Sequence, residues 1–357
     1  MKKTTILGRF TFWMNGVAAF FLIVSFVLPY LPPKHFPTVS LLSLIVSPLI
    51  FLNIIFALYW ILLGKLKLLL SSGVLIMAYF FFNSFLQFSS EGNAEQYDAT
   101  LKVMSYNVRL FNAYEKNSSV NVSETLQDII ESKKPDVICI QEYYRDESIG
   151  FSAYPYQYIY FNKKKNSKGV LQEHILGHAI LSKYPIVNKG AFDFKGTFNN
   201  SLYVDVVKSQ DTIRIYNFHL ESMGVQAKVS YLQVADTKRL LGRMSKSFKE
   251  QQVQVEEVLA HKALSPYPVL FIGDFNNTPF SYIYREIQKD MKDSYLERGN
   301  GLGTTYLFDS YPMRIDYIFA SEAFDILNFE TIKKTFSDHY PIVSTLGWPV
   351  IPEIKKH

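Results

Sequence analysis

The 357-residue chain has a single cysteine, Cys139. One thiol excludes an intrachain disulfide and any cysteine-rich zinc site. Cys139 lies in the apolar run Val137, Ile138, Cys139, Ile140, the setting of an inert core residue. Charge is scarce too: 19% of residues are charged and 48% are hydrophobic, so part of the chain does not face water. The formal net charge of +5 admits an anionic substrate or a lipid surface, but it is too mild for the footprint of a dedicated nucleic-acid binder. Internal repeats and long low-complexity segments are missing as well. The length exceeds one average domain and leaves room for a sizeable core plus an appendage.

What the chain does have, at its start, is long uncharged sequence. Residues 11–31, 40–63 and 68–86 carry no charged side chain. Each approaches or exceeds the roughly 20 residues that cross a hydrocarbon core as a helix. A cleaved signal peptide is the rival reading for the first, given Lys2, Lys3 and Arg9. Its apolar part is too long for that, and more hydrophobic sequence follows. The expectation is a membrane anchor over residues 1–87 with three transmembrane helices. Lys2, Lys3 and Arg9 precede the first span, and Lys65 and Lys67 follow the second. The joint after the first has Lys34 alone, and residues 89–98 have no base. The positive-inside bias then places the N-terminus in the cytoplasm. The rest becomes periplasmic or otherwise extracytoplasmic, as in a bacterial inner-membrane protein. Residues 88–99 read as a polar linker, 100–347 as a catalytic domain, and 348–357 as a tail without a clear signal.

The soluble part is organised around Val269, Leu270, Phe271, Ile272, Gly273, Asp274, Phe275, Asn276. The apolar run suits a buried strand, and Gly273 frees the backbone at its end. Asp274 and Asn276 at i and i+2 point to one side in extended backbone. Together they offer acceptors and a donor to a phosphate, a metal or a metal-bound water. An ordinary turn after a strand is the plain alternative. Other apolar strands also end in polar residues: 101–108 at Asn107 with Arg109 after it, 137–140 at Gln141 and Glu142, 213–218 at His219. Residues 314–319 carry Asp316 on their polar side, and Asp338 and His339 precede a last strand. Residues 178–182 and 203–207 read as strands. Residues 123–134 form a helix with Ser123 as its cap, and 228–262 are mostly helical and solvent-facing. Another helix opens at Thr278 and runs to about residue 290. Residues 145–175 read as a loop whose basic run, Lys163 to Lys165 with Lys168, is solvated or touches a phosphate.

The order and neighbours of these residues closely resemble the endonuclease/exonuclease/phosphatase superfamily, which includes deoxyribonuclease-, sphingomyelinase- and inositol-polyphosphate-phosphatase-like enzymes. The stretches that carry the resemblance are Ser105-Tyr106-Asn107-Val108, Ile140-Gln141-Glu142, Asn217-Phe218-His219-Leu220, Gly273-Asp274-Phe275-Asn276, Arg314-Ile315-Asp316-Tyr317 and Ser337-Asp338-His339. They span roughly residues 101–346. The resemblance implies a four-layer α/β sandwich, two packed β-sheets flanked by helices, and metal-dependent hydrolysis of a phosphoester. It implies Mg²⁺ or Mn²⁺ on Glu142 with Asn107 beside it and Asp338 in support, ligands hard enough for those ions. Asp274 would orient the attacking water, Asn276 would hold a phosphate oxygen, and His219 would contact the scissile phosphate. His339 would contact the phosphate or move a proton, with Asp316 fixing its ring. Arg109 and His178 are further substrate-binding candidates; for His178 a core or surface role stands beside that one.

Three functions remain open at this level. The first is a membrane-anchored phosphodiesterase or phosphatase acting on a lipid headgroup or another extracytoplasmic phosphoester. The second is a membrane-bound nuclease acting on DNA or RNA. The third, a catalytically degenerate binding module, sits badly with the presence of Glu142, Asp274, Asp316 and His339. Substrate, oligomeric state and protein partners are not legible in the residues.

Overall fold

The computed structural model describes residues 6–114, 120–165, 171–225 and 228–348. Lys2, Lys3, Lys168 and the tail after Trp348 lie outside them. Helices α1 (Ile6–Ser25), α2 (Val46–Leu62) and α3 (Leu68–Phe82) form an N-terminal bundle. Two stretches, Ile6–Tyr30 and Pro37–Leu62, are long and apolar enough to cross a membrane by length and composition. The third apolar stretch, expected to reach residue 86, stops as a helix at Phe82. There Asn83 turns left-handed (φ 44°) and its N–H bonds Tyr79 O at 2.9 Å, a common helix stop. Fifteen residues rise only about 22 Å.

The bundle is apolar on its outside as well as in its interior, where Ala19, Leu22, Val46, Ile50, Val74 and Ala78 pack together. Within that apolar interior lies a small polar network of Asn15, Asn53 and Ser71, tied together by Asn15 Nδ2 to Ser71 Oγ (2.5 Å), Ser71 Oγ to Asn53 Oδ1 (3.2 Å) and Trp60 Nε1 to Asn15 Oδ1 (2.9 Å). The bundle's exterior displays Phe10, Trp13, Phe20, Ile55 and Phe80. A helix on the surface of a water-soluble domain carries charged and polar residues on its outward face instead.

The remaining chain folds as β1 (Ala99–Asn107), α4 (Val122–Lys133), β2 (Val137–Tyr143), β3 (Tyr156–Lys165), β4 (Leu171–Ser182), β5 (Ile186–Asp193), β6 (Asn200–Lys208), β7 (Asp211–His219), α5 (Thr237–Lys262), β8 (Val269–Asp274), α6 (Tyr282–Gln288), β9 (Met291–Asp293), β10 (Asp316–Ser321), β11 (Asp325–Thr331) and β12 (Ile342–Trp348). Two six-stranded mixed sheets result, ordered β11-β12-β1-β2-β4-β3 and β9-β10-β8-β7-β6-β5. The central pair of each sheet, β1 with β2 and β7 with β8, is parallel, and every other pairing in them is antiparallel. The sheets pack face to face over Leu101, Val103, Val137, Cys139, Ile213, Ile215, Leu270 and Ile272. One outer face buries Met104, Tyr106, Ile138 and Ile140 with Leu126 and Ile129 of α4. The other buries Tyr216, Phe218 and Phe271 with Val255 and Val258 of α5 and Ile283 and Ile287 of α6. This is the expected four-layer α/β sandwich.

Several local expectations are corrected. The expected loop over residues 145–175 holds only in part: residues 145–155 are irregular, but β3 and the start of β4 form an antiparallel pair in which Tyr158 faces Ile180 and Tyr160 faces His178. The alternating tyrosines pack on the inter-sheet core, a period-2 signal masked by the lysines that follow. Asn121, not Ser123, caps α4, accepting the Glu124 N–H at 3.2 Å. The region 228–262 is two helices, because Asp236 accepts the Arg239 N–H at 2.7 Å and starts α5 anew. Where the expected linker over residues 88–99 begins, Gln87–Phe88 pairs with Asn300–Gly301, and the Gly92 N–H bonds Leu327 O at 2.7 Å. Trp348 is still strand, paired with Ala99.

Candidate active site

Along each central strand the residues facing the other sheet are apolar until the last turn of the pleat, and then polar. The columns read Leu101, Val103, Ser105, Asn107 in β1; Val137, Cys139, Gln141 in β2; Ile213, Ile215, Asn217, His219 in β7; and Leu270, Ile272, Asp274 in β8. Antiparallel β10 enters the same rim with Asp316, opposite Asp274. The first polar tier is a closed network. Gln141 Nε2 donates to Asn217 Oδ1 (2.7 Å), and Asn217 Nδ2 donates to Ile140 O (2.9 Å) and Ala179 O (3.0 Å). These buried amides are satisfied across the sheet interface, and they seal the apolar core beneath the second tier.

The second tier is the site. Asn107 Nδ2 donates to Glu142 Oε1 at 3.3 Å and to Asp274 Oδ2 at 3.1 Å, joining the two sheets. Asp274 Oδ1 accepts the Asn276 N–H at 2.8 Å. His339 Nδ1 lies 3.1 and 2.9 Å from the two oxygens of Asp316, and its Nε2 is 3.7 Å from Asp274 Oδ2. His219 Nε2 stands 3.7 Å from Glu142 and 3.9 Å from Asp274. Arg109 Nε is 3.9 Å from Asp338. A cleft of about 700 Å³ opens over this tier, lined at its polar end by Arg109, Glu142, Asp274, Asn276, Asp338 and His339.

Backbone distortion aims these groups. Strict alternation would point Glu142 at the outer face with Ile138 and Ile140. A register shift between Ile140 and Tyr143 hands the outer position to Tyr143, and Glu142 turns left-handed (φ 53°) toward the rim. Bulges re-aim side chains in this way. After Asn107, the residues Arg109, Leu110, Phe111 and Asn112 all have positive φ, 45° to 56°, a run that costs about 1–2 kcal/mol per residue. It is held by the Arg109 N–H on Asn107 Oδ1 (3.0 Å) and by Phe111 packed on Tyr143. Asn276 is also left-handed, at φ 50°.

Burial works against a charge on His339, but Asp316 and Asp274 outweigh it and push its pKa up to about 10. Burial raises Glu142, with His339 opposing. Burial raises Asp274 as well, opposed by His339 and reinforced by Asp316. A pair of histidines behaves in the opposite way. His178 Nε2 and His219 Nδ1 are 3.0 Å apart, and His178 Nδ1 is also hydrogen-bonded to Asn200. One proton fits between the two rings, so both cannot be charged. Burial pushes His178 down to about 3; burial, then the charges of His178 and His339, push His219 down.

A pH prediction follows from the sign of that shift. Below the ordinary histidine value of 6.5, and down to about 3, the unfolded chain binds a proton that folded His178 refuses. Stability therefore falls as pH falls, by up to about 1.4 kcal/mol per pH unit for each such ring. Thermal unfolding midpoints measured from neutral pH to about pH 5 should show the loss, and His178→Gln should make it shallower. An identical acid slope in that variant would refute the assignment.

Of the residues singled out in the sequence, Asn107, Glu142, His219, Asp274, Asp316 and His339 converge at this rim, and Arg109, Asn276 and Asp338 line the cleft above it. Asn276 donates one amide N–H to Leu220 O at 3.0 Å. His178 sits behind His219, 1% exposed and off the cleft surface. Sequence reasoning missed Asn200, which continues the inward column of Leu202 and Val204 and was findable by extending the expected strand 203–207 by three positions. It also missed Thr305, whose Oγ1 accepts the Ile315 and Asp316 N–H groups at 3.0 and 3.1 Å, and Tyr306, whose ring stands 4.8 Å from that of His339. No pattern marks either, Thr305 preceding and Tyr306 opening the short strand Tyr306–Phe308. Arg314 anchors the approach to Asp316, pairing with buried Asp293 at 2.5 Å. Asp274, Asp316 and His339 offer one ligand atom each within 4.8 Å of one another, the one such group among the described residues.

The model of the Endonuclease/Exonuclease/phosphatase family matches residues 104–339. A domain of unknown function, DUF8431, matches residues 8–85. An endonuclease/exonuclease/phosphatase from Beutenbergia cavernae is similar over 70% of this chain and 72% of its own, at 19% identity and a TM-score of 0.52. A protein of that family from Bacteroides thetaiotaomicron matches over 71% of this chain and 99% of its own, at 18% identity and a TM-score of 0.48. The catalytic domain of human Nocturnin with a bound sulfate anion matches over 72% and 99%, at 17% identity and 0.48. At these identities the likeness is one of fold. No curated protein matches the chain.

Proposed function

The chain belongs to the endonuclease/exonuclease/phosphatase family, and on that premise we propose that it is a membrane-anchored, divalent-metal-dependent phosphoesterase. The observation that carries the reading is the meeting of Glu142 and His339, 197 residues apart in the numbering, on one cleft with Asp274 between them. The donor set is carboxylate and amide oxygen without a thiolate, which fits Mg²⁺ or Mn²⁺. Glu142 and Asn107 would hold the ion, with Asp338 in support. Asp274, Asp316 and His339 are the competing set, but both oxygens of Asp316 already face the His339 ring. When bound, the ion supplies positive charge to the phosphoryl oxygens.

The protein groups do the rest. Asp274, its two oxygens fixed by Asn276 and Asn107, orients the attacking water and takes its proton; a carboxylate raised by burial is the better base near neutral pH. Charged His339, held by Asp316, meets the phosphate and stabilises its developing charge. His219, braced from behind by His178, and Asn276 contact the same phosphate. Treatment of the purified protein with EDTA should abolish hydrolysis of bis-p-nitrophenyl phosphate, and Mg²⁺ or Mn²⁺ should restore it. Turnover that survives metal removal would sink the metal-dependent reading.

The apolar exterior of the bundle supports the membrane assignment, since aromatic and aliphatic groups outside, with a hydrogen-bonded amide and hydroxyl network inside, suit a lipid surround. Lys67 Nζ bonds Gly8 O at 3.2 Å, so the N-terminal end of α1 and the joint carrying Lys65 and Lys67 share one end of the bundle. At the other end Lys34 pairs with Glu256, and Arg285 lies 4.2 Å over the Tyr30 ring. Basic residues at the end remote from the catalytic domain favour an extracytoplasmic site. A nuclease is the rival within the same chemistry. The cleft lining offers Arg109 and His339 as its cations, too few to neutralise a row of phosphates.

A further inference from the structure

The cleft over the catalytic rim is walled in part by the N-terminal region. Leu44 and Ile45, from the stretch Leu41–Ile45, and Pro48 of α2 line it together with Glu142, Asp274 and His339. The contact is built in. Thr278 Oγ1, two residues beyond Asn276, donates to Ser43 O at 3.2 Å. Phe280 is 1% exposed inside the helical bundle, its ring 4.9 Å from that of Phe82. The loop that follows the catalytic Asp274 is thus fastened to the bundle, and the bundle cannot be a loose tether.

Away from the polar rim the lining turns apolar: Leu44, Ile45, Met223, Leu232, Met244 and Met313 face the same space. Methionines there give a wall that adapts to a flexible chain. The lip of the cleft, helix Val229–Val234, leaves Val229, Leu232 and Val234 at 46%, 39% and 84% exposure. About 700 Å³ is of the size that takes a whole small ligand, much more than a phosphate fills.

Resting on the phosphoesterase reading above, we propose that the N-terminal region is one wall of the substrate site and that the substrate is a lipid phosphoester. Its phosphate meets Glu142 and His339, and its apolar chain runs along Leu44, Ile45 and Met244 toward the bilayer that holds α1 and α2. The exposed lip residues then rest against lipid. The region matched by a domain of unknown function acquires a role in substrate choice.

The test uses the full chain in lipid nanodiscs with Mg²⁺ and a series of p-nitrophenyl alkyl phosphodiesters of increasing chain length, short enough to stay monomeric. Each methylene that enters the apolar wall should raise kcat/KM by about fourfold, until the wall is filled. Leu44→Ser and Met244→Ser should flatten that slope. A flat slope in the unaltered protein, with the shortest diester turned over, overturns the lipid inference and leaves the phosphoesterase reading standing. Plasmid DNA cleaved in preference to the longest-chain diester overturns it as well. No turnover of any phosphoester overturns both. Because the slope is read first on the unaltered protein, a variant that fails to fold does not decide the result.

Discussion

His339→Gln is expected to lower kcat for phosphodiester hydrolysis by about 10²–10⁴-fold, the range for losing a charged donor or proton carrier at the reacting group. Glutamine keeps a donor for Asp316 but not the charge that offsets the buried Asp316 and Asp274, so some stability is lost as well, and kcat is read on the folded variant. Asp316→Asn tests why. His339 sits with its pKa pushed up to about 10, with Asp316 the first of the charges that raise it. A raised pKa means the imidazolium persists through neutral pH and is lost as pH climbs through that value. Removing the Asp316 charge should bring the alkaline fall of the pH–rate profile to lower pH. A merely structural Asp316 would lower activity without moving that limb. Rate profiles of the unaltered protein and Asp316→Asn between neutral pH and about pH 11 decide it. An unmoved alkaline limb would remove His339 as the charged partner of the phosphate.

How much of this was legible in the sequence depends on which physical rule set each residue's position. Asn107, His219 and Asp274 obey simple alternation, continuing the inward columns of Leu101 and Val103, Ile213 and Ile215, and Leu270 and Ile272, so strand ends marked them. Asp316 follows the same rule backward along β10. Glu142 breaks the rule, and its place depends on a bulge that no local residue pattern announces. Residues 156–162 were lost to a loop reading because lysines drew attention from the alternating tyrosines, and β3 forms only once β4 pairs with it. The contact of Leu44 and Ile45 with the cleft is purely tertiary. Nothing in an apolar run says whether it faces lipid, a neighbouring helix or a substrate, and the spans 11–31 and 40–63 were legible as long apolar helices without that distinction. Hydrophobic pattern therefore located the sheets and the bundle, and the cleft between them emerged only from packing.

Gly273→Ala is expected to destabilise the domain by more than about 4 kcal/mol, the exceptional end of single-residue effects. Gly273 has φ 142°, a conformation L side chains rarely adopt, and a Cβ there would lie 2.1 Å from Phe218 O and 2.7 Å from Phe218 N. Those atoms are backbone of the neighbouring parallel strand, where Phe218 is paired with Gly273 and His219 with Asp274. The clash has no flexible side chain to absorb it, so β7 and β8 must separate one residue beneath the site. Stability and activity should fall together. Gly301→Ala is the control. Its φ is also positive, 74°, but nothing lies within 4 Å of its Cβ position, so only backbone strain applies, about 1–2 kcal/mol. Thermal midpoints and soluble yields of the two variants separate close packing from backbone conformation. If Gly273→Ala is no worse than Gly301→Ala, the close approach of the central parallel strands, which sets His219 beside Asp274, does not hold the site together.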